Sequence, residues 1–290
     1  MKYTKLRAQL RARLQDADRI LVAPGVYDPM SARQVALAGF EAVHAGSYSF
    51  ASSLALPDVG ILDLTEISEC VRAICAAVSV PVIADAENGF TSPAGIGRVI
   101  QRFEQAGACA IHIEDLLSGK HTSAPKRVIP LEDATQIIRA AVAARDDPNF
   151  MIIARTDVAW ATNSVQDAVD RTRAFIQAGA DAVMPIGLTL EQLRDVRQTI
   201  PSAVVIVNTH GNSIEAEHAA GANLVFYHSF CVNAAARGIQ RALRLFAQTG
   251  CITAVQESVA SQDEMEDLLG YAEYERLRKR YSRHTPLMDG

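Results

Sequence analysis

Eight short apolar runs constrain this chain more than any other feature: residues 20–26, 42–46, 81–87, 110–115, 151–157, 182–187, 203–208 and 224–229. They are rich in Val, Ile and Ala and lack polar alternation, which predicts strands buried on both faces, as in a parallel sheet. Amphipathic helical stretches lie between them, such as 94–106, 131–145 and 165–178, and supply the crossovers that parallel strands need. The dipeptide Ala-Gly recurs at Ala38-Gly39, Ala106-Gly107, Ala178-Gly179 and Ala220-Gly221, each time shortly before a run. Glycine at these points predicts a helix stop at C′, then a short loop into the next strand. The four sites precede the second, fourth, sixth and eighth runs, which fits a closed (β/α)8 barrel better than an open doubly wound sheet. No GxGxxG follows a run, which weakens the dinucleotide-binding alternative.

A barrel of this kind takes about 250 residues, and the chain has 290. The expected organisation is a single modified TIM barrel over residues 1–250, opened by a charged helix within 1–18, and a helical extension over 251–290. Helical patterns at 255–267 and 273–281 are expected to pack on the barrel or on a partner subunit. The 28 basic and 33 acidic residues, with a net charge of −5, argue against a general nucleic-acid partner. No run approaches the ~20 apolar residues of a membrane span, and the first residues show no apolar leader. Cys70, Cys75, Cys109, Cys231 and Cys251 form no CxxC pair and no zinc spacing. Reduced thiols and a cytoplasmic protein are therefore expected.

Barrel chemistry gathers at the C-terminal ends of the strands. Here those ends read Asp85-Ala86-Glu87, Glu114-Asp115, Arg155-Thr156-Asp157, Asn208-Thr209-His210 and His228. Asp85 and Glu87 lie two apart, so one pleat face is expected to present both. Carboxylates from neighbouring strands, without zinc spacing, suit a hard cation such as Mg²⁺ or Mn²⁺. Asp115 and Asp157 serve equally well as N-caps of the following helices. Arg155 at the end of a buried strand is a costly charge unless it holds a carboxylate. His228 is either a ligand or a hydrogen-bonded core histidine, while His44 and His112 fall inside strands and are read as structural. The turn Gly46-Ser47-Tyr48 offers backbone N–H groups and a hydroxyl to a small carboxylate, or is an ordinary turn.

Taken in order, Gly46-Ser47, Leu56-Pro57-Asp58, Asp85-Ala86-Glu87-Asn88-Gly89-Phe90, Ile113-Glu114-Asp115 and Ala154-Arg155-Thr156-Asp157 resemble the isocitrate lyase/phosphoenolpyruvate mutase superfamily. The resemblance implies a modified barrel whose eighth helix swaps onto a partner in a dimer, often within a dimer of dimers. It implies Mg²⁺-dependent chemistry on an α-oxo or α-hydroxy carboxylate through an enolate-like intermediate. Asp85 would ligate Mg²⁺ directly, with Asp58, Glu87 and Glu114 acting through bound waters. Ser47 and the Gly46 and Ser47 backbone, with Tyr48 beside them, would hold the substrate carboxylate, and Arg155 would neutralise the developing oxyanion. The stretch Tyr27-Asp28-Pro29-Met30-Ser31-Ala32-Arg33 resembles the oxaloacetate decarboxylase branch, as do residues 209–212 and His228. On that likeness Tyr27, His210 and His228 join the expected substrate contacts.

The chain also departs from the family. Its gating loop, Leu116-Leu117-Ser118-Gly119-Lys120-His121-Thr122-Ser123-Ala124-Pro125, lacks the lyases' Lys-Lys/Arg-Cys-Gly-His, whose Cys is the general acid, and the phosphonomutases' Lys-Thr-Asn-Ser. The small residues predict a mobile lid or an ordinary surface loop. Glu87 stands where the family has Asp. Met184-Pro185-Ile186 replaces a Pro-Glu pair found in many lyases, which implies less polar demand on the departing fragment. The expected activity is Mg²⁺-dependent C–C cleavage of a small 2-oxo or 2-hydroxy dicarboxylate, oxaloacetate decarboxylase-like or methylmalate/methylisocitrate lyase-like. Glu114, Lys120, His121 and His210 are candidates for the acid–base steps, with Arg155 and His228 beside them. Two alternatives stand: a phosphonopyruvate mutase or hydrolase using Lys120, His121 and Lys126, and a non-catalytic carboxylate-binding homologue.

Overall fold

A computed structural model describes residues 2–16, 18–208 and 211–281. All eight runs become strands of one closed barrel of parallel pairs. The strands are β1 (Leu21–Val26), β2 (Val43–Ala45), β3 (Val82–Asp85), β4 (Ala110–Glu114), β7 (Met151–Thr156), β8 (Ala182–Pro185), β9 (Ala203–Val207) and β10 (Leu224–Tyr227). Between β4 and β7 a small hairpin, β5 (Leu116–Ser118) and β6 (Arg127–Val128), pairs antiparallel at the base of the loop expected to act as a lid. The barrel closes where β1 pairs with β10, from Leu21↔Leu224 to Pro24↔Tyr227.

The crossover helices follow from local sequence. In the helix Leu64–Ala77, Asp63 and Glu66 form a capping box, and Ile67, Val71, Ile74 and Cys75 are buried at helical spacing. The helix Ile96–Ala106 ends on Gly107, whose φ of 95° is left-handed and whose N–H donates back to the carbonyls of Phe103 and Glu104. Gly39, Gly179 and Gly221 have similar positive φ, so each Ala-Gly pair does stop a helix.

Inside the barrel, Ala23, Ile83, Ile153, Val205 and Phe226 pack in one cluster with Leu6, Leu10 and Leu14 of the helix Lys2–Gln15. That helix is anchored by Arg7, which donates to the carbonyls of Ala108 and Glu104 and pairs with Asp147 at 3.1 Å. A second cluster fills the layer between strands and outer helices. A Cβ on Gly25 in β1 would lie 2.0 Å from the carbonyl oxygen of His228, a close approach that only glycine permits.

The chain divides into two compact units, Met1–Val232 and Asn233–Gly290. Described by itself, the second contains most of the helix Phe230–Thr249, a 3-10 segment Ile252–Ser258 and the helices Gln262–Leu269 and Tyr271–Tyr281. The single helical pattern read at 255–267 is thus broken, because Ser261 and Glu264 form a capping box that starts a new helix. No described helix is long and apolar enough to cross a membrane.

Candidate active site

The ends of β2, β3 and β4 bring several acids together. Asp85 closes β3 and is buried; its Oδ2 accepts from the Ser47 hydroxyl at 2.9 Å, and its Oδ1 from the Glu87 N–H at 2.9 Å. Glu87 arrives by another route than strand alternation. β3 stops at Asp85, and Glu87 adopts a left-handed φ of 49°, a conformation costing a β-carbon residue about 1–2 kcal/mol. The pleat therefore does not present both acids; a turn does.

Lys120, on the loop that follows β5, reaches into this cluster. Its Nζ donates to Glu87 Oε2 at 2.6 Å and to Ser47 Oγ at 3.3 Å, and lies 3.6 Å from Asp58 Oδ2 and 3.8 Å from Glu114 Oε1. One ammonium does not balance so many buried carboxylates. Burial, outweighing Arg155 and Lys120, pushes Glu114 up to about 8, and burial with the neighbouring Asp85 raises Glu87. Burial also opposes ionisation of Asp85, but His112, Lys120 and Arg155 hold it well below the usual carboxylate range. Burial alone would lower Lys120; Glu114, Asp85, Glu87 and Asp58 raise it instead.

Arg155 in β7 is already engaged by protein groups. Its Nε and Nη2 donate to the two oxygens of Asp157 at 2.9 and 2.8 Å, and its Nη1 lies 2.9 Å from Glu114 Oε2. Asp115 accepts from the Thr156 hydroxyl, the Asp157 N–H and Arg171. Asp157 makes no side-chain capping bond. These two acids therefore form the frame that fixes Arg155 rather than serving as helix caps.

A cavity of about 440 Å³ adjoins these groups. Ser47, Asp58, Asp85, Lys120, His121 and Arg155 give it polar lining, while Met184, Ile186, Leu188, Leu190, Leu193 and Ile206 give it apolar lining. The Tyr48 ring stands edge-on to those of His121 and His228, with centroids 5.6 and 5.4 Å apart. His121 Nε2 lies 3.4 Å from Asp58 Oδ2. Trp160, from the helix Val158–Thr162, also lines the cavity, and Lys126 Nζ sits 4.3 Å from its ring centroid. The loop thus touches the site at Lys120, His121 and Lys126.

The donor set fits a hard cation. Asp58 Oδ2 is a buried oxygen without a hydrogen-bond partner among the described residues, Glu114 Oε2 meets Arg155 alone, and the cluster carries excess negative charge. No three His, Cys, Asp or Glu side chains among the described residues are grouped to hold a metal ion by themselves. The fit is therefore to an ion held directly by few carboxylates, with Asp85, Asp58, Glu87 and Glu114 as the available oxygens.

Of the expected site residues, Gly46, Ser47, Tyr48, Asp58, Asp85, Lys120, His121, Arg155 and His228 line the cavity. Glu87 and Glu114 meet it through Lys120. Tyr27 is half-buried and is not among the lining residues. His210, with Thr209, lies outside the described residues. Sequence reasoning missed Trp160; the available signal was the chain's single Trp so soon after the Arg155–Asp157 strand end. It also set aside His44 and His112, which both line the cavity.

Comparison with known proteins agrees with this geometry. A family model described as Phosphoenolpyruvate phosphomutase matches residues 10–247. A 2-methylisocitrate lyase of Aeropyrum pernix is 33% identical over 94% of this chain and 90% of its own length. A 2,3-dimethylmalate lyase of Eubacterium barkeri is 31% identical over 93% of this chain and 96% of its own. A crystal structure of phosphonopyruvate hydrolase in complex with oxalate and Mg²⁺ superposes with a TM-score of 0.87 at 29% identity, covering 95% of this chain and 98% of that one. The acid cluster at the ends of β3 and β4, the Arg155 frame and these matches lead to one conclusion: the chain belongs to the isocitrate lyase/phosphoenolpyruvate mutase superfamily.

Proposed function

We propose that the chain is a Mg²⁺-dependent lyase that breaks a C–C bond in a small 2-oxo or 2-hydroxy dicarboxylate. The observation that carries this reading is the gathering of Asp58, Glu87 and Glu114 around Lys120, with Asp85 next to them, Arg155 on Glu114 and a cavity alongside. When bound, Mg²⁺ would supply Lewis-acid polarisation of the substrate oxygens. The Ser47 hydroxyl and the Gly46–Ser47 backbone orient the substrate carboxylate. With a 2-oxo substrate, the C–C electron pair passes to the C2 oxygen as an enolate, and Arg155 and Lys120 provide fixed positive charge. With a 2-hydroxy substrate a base takes the hydroxyl proton, the C–C pair leaves with the departing fragment, and an acid protonates that carbon. Lys120, deep among the acids, and His121, beside Asp58 at the exposed edge, are the loop groups placed to move these protons.

The apolar lining from Met184 to Leu193 supports a departing fragment that carries an alkyl group rather than a second carboxylate, in line with the relative named 2,3-dimethylmalate lyase. Lys126 sits over the Trp160 ring, which counts against its holding a phosphoryl group. A partner subunit is supported by the helix Phe230–Thr249, which has no buried residue and exposes Phe230, Ile239, Leu243 and Phe246. We extend the proposal to a dimer of dimers with exchange of this helix. The five unpaired cysteines support a reducing, cytoplasmic setting.

The test is turnover of oxaloacetate, alkylated malates and phosphonopyruvate by the wild-type chain and Asp85→Ala, with and without Mg²⁺. Mg²⁺-dependent keto-acid release that disappears in Asp85→Ala is expected. Phosphate or phosphoenolpyruvate from phosphonopyruvate, or no turnover of any acid, would replace this reading.

A further inference from the structure

Two buried imidazoles meet directly beneath the acid cluster. His44 in β2 and His112 in β4 flank β3, and their Nε2 atoms lie 3.0 Å apart. Both are nearly inaccessible, at 3% and 1% exposure. The His44 ring stacks on Phe226 of β10 with centroids 4.1 Å apart and planes 14° from parallel. Across the barrel, β8 contributes Met184. These four side chains come from alternate strands, as in a packed barrel layer, and two of them are polar in what is otherwise an apolar interior. The Nε2–Nε2 hydrogen bond offsets part of the cost of burying them. Asp85, the register partner of His112 in β3, sits next to it, with Oδ1 3.6 Å from His112 Nδ1.

The geometry decides where the protons sit. At 3.0 Å one Nε2 must donate and the other accept. His44 Nδ1 and His112 Nδ1 are both buried without a hydrogen-bond partner among the described residues. But His112 Nδ1 faces the Asp85 carboxylate at 3.6 Å, where a proton gains its negative charge, whereas a proton on His44 Nδ1 would be stranded. The His44 proton therefore belongs on Nε2, and His44 donates to His112. His112 Nε2 is then an acceptor, which leaves its own proton on Nδ1, facing the Asp85 carboxylate. The opposite arrangement strands an N–H on His44 and turns a bare lone pair of His112 toward Asp85, so it is disfavoured at both ends.

We infer that His44 and His112 are a positioning pair: His44 fixes the His112 tautomer, and His112 Nδ1–H, 3.6 Å from Asp85 Oδ1, draws that carboxylate by charge attraction into the orientation in which it serves a divalent cation. The inference rests on the lyase reading only for the last step. Glu87 N–H and Ser47 Oγ–H restrain Asp85 from the loop side; the imidazole restrains it from inside the barrel, where no loop movement reaches. Outer groups of this kind commonly change metal affinity about 10–100-fold when removed.

The experiment has two arms, both on the full chain. In the first, histidine ring ¹⁵N shifts of the metal-free wild type are assigned with the His44→Phe and His112→Asn variants. Protonated Nδ1 and bare Nε2 on His112, with the reverse on His44, are expected; a proton on His44 Nδ1 or a bare His112 Nδ1 overturns the inference. In the second, Mn²⁺ binding is followed by electron paramagnetic resonance. His112→Asn keeps an N–H near the Nδ1 position and should bind within about 3-fold of wild type, while His112→Gln keeps only the Nε2 position and should bind at least about 10-fold more weakly. Equal behaviour of the two variants overturns positioning, since a space-filling role treats them alike. Wild type that shows the expected tautomers yet binds no Mn²⁺ overturns the lyase reading and leaves the tautomer assignment standing.

Discussion

Lys120 Nζ donates to Glu87 Oε2 at 2.6 Å, and the same ammonium lies within 4 Å of Asp58 and Glu114. A loop residue thus provides the positive charge at the centre of three buried acids. The loop expected to act as a lid is therefore also an electrostatic part of the site, and a cation entering the cluster competes with it.

Replacing Lys120 with Met should separate these roles. Without its ammonium, Asp58, Glu87 and Glu114 lose their shared counter-charge, and the metal-free protein should lose about 3 kcal/mol of stability. Mg²⁺ should then raise the melting temperature more in the variant than in wild type, because nothing competes for the acids. Equal Mg²⁺ shifts in thermal denaturation would refute the competition. Turnover should fall about 10²-fold if Lys120 also moves a proton.

Arg155 offers a second contrast. Arg155→Met leaves Asp157 buried without its two-point partner and Glu114 facing only Lys120, and should cost about 3–5 kcal/mol in urea unfolding. Arg155→Lys keeps a charge but loses the two-point grip on Asp157. It should fold nearly normally while kcat falls about 10²–10³-fold. Normal kcat in Arg155→Lys would mean that the guanidinium only frames the site.

Much of this architecture is legible in the residues, for identifiable reasons. The eight strands are buried on both faces, so their composition announces them, and the four Ala-Gly stops mark where even-numbered strands begin. Strand-end acids are visible for the same reason, since a carboxylate after an apolar run is conspicuous. The side-chain partnerships are not visible. Nothing local to Arg155 says that Asp157 rather than substrate satisfies it, and nothing near His44 foretells His112, which lies 68 positions away. Glu87 looked like a pleat neighbour of Asp85 because alternation was carried past the end of β3, where φ changes sign. The break at Ser261 was missed because a capping box interrupts a helix without disturbing its apolar period.

The apolar cavity wall leads to a specificity prediction. For two malates that differ only in carrying a methyl or a carboxymethyl group on the departing carbon, kcat/KM should favour the methyl compound by at least about 10-fold. The comparison is made by measuring both in one competition assay. A preference for the carboxymethyl compound would mean that the apolar lining faces some other part of the substrate.

The N-terminal helix carries a pH dependence of its own. Burial would raise Asp147, but hydrogen bonds from the Asn149 N–H and from Arg7 outweigh it and hold the group below its ordinary value of 3.8. A depressed carboxylate contributes stability above its unfolded pKa and loses it as pH falls through the lower, folded one. The stability gap between wild type and Asp147→Asn should therefore be largest near neutrality and close below about pH 3.8. Urea unfolding at several pH values reads this directly; a gap that does not change with pH would remove the Arg7–Asp147 pair as its source.

Calorimetric titration of oxalate tests the central claim most directly, because oxalate imitates the enolate of a 2-oxo acid and needs no turnover. If Asp85 and its neighbouring acids hold a divalent cation that receives the substrate, oxalate should bind wild type in the presence of Mg²⁺. Removal of Mg²⁺ with a chelator, or Asp85→Ala with Mg²⁺ present, should each weaken binding at least about 100-fold. Oxalate binding of equal strength with and without Mg²⁺, or unchanged in Asp85→Ala, would contradict the account.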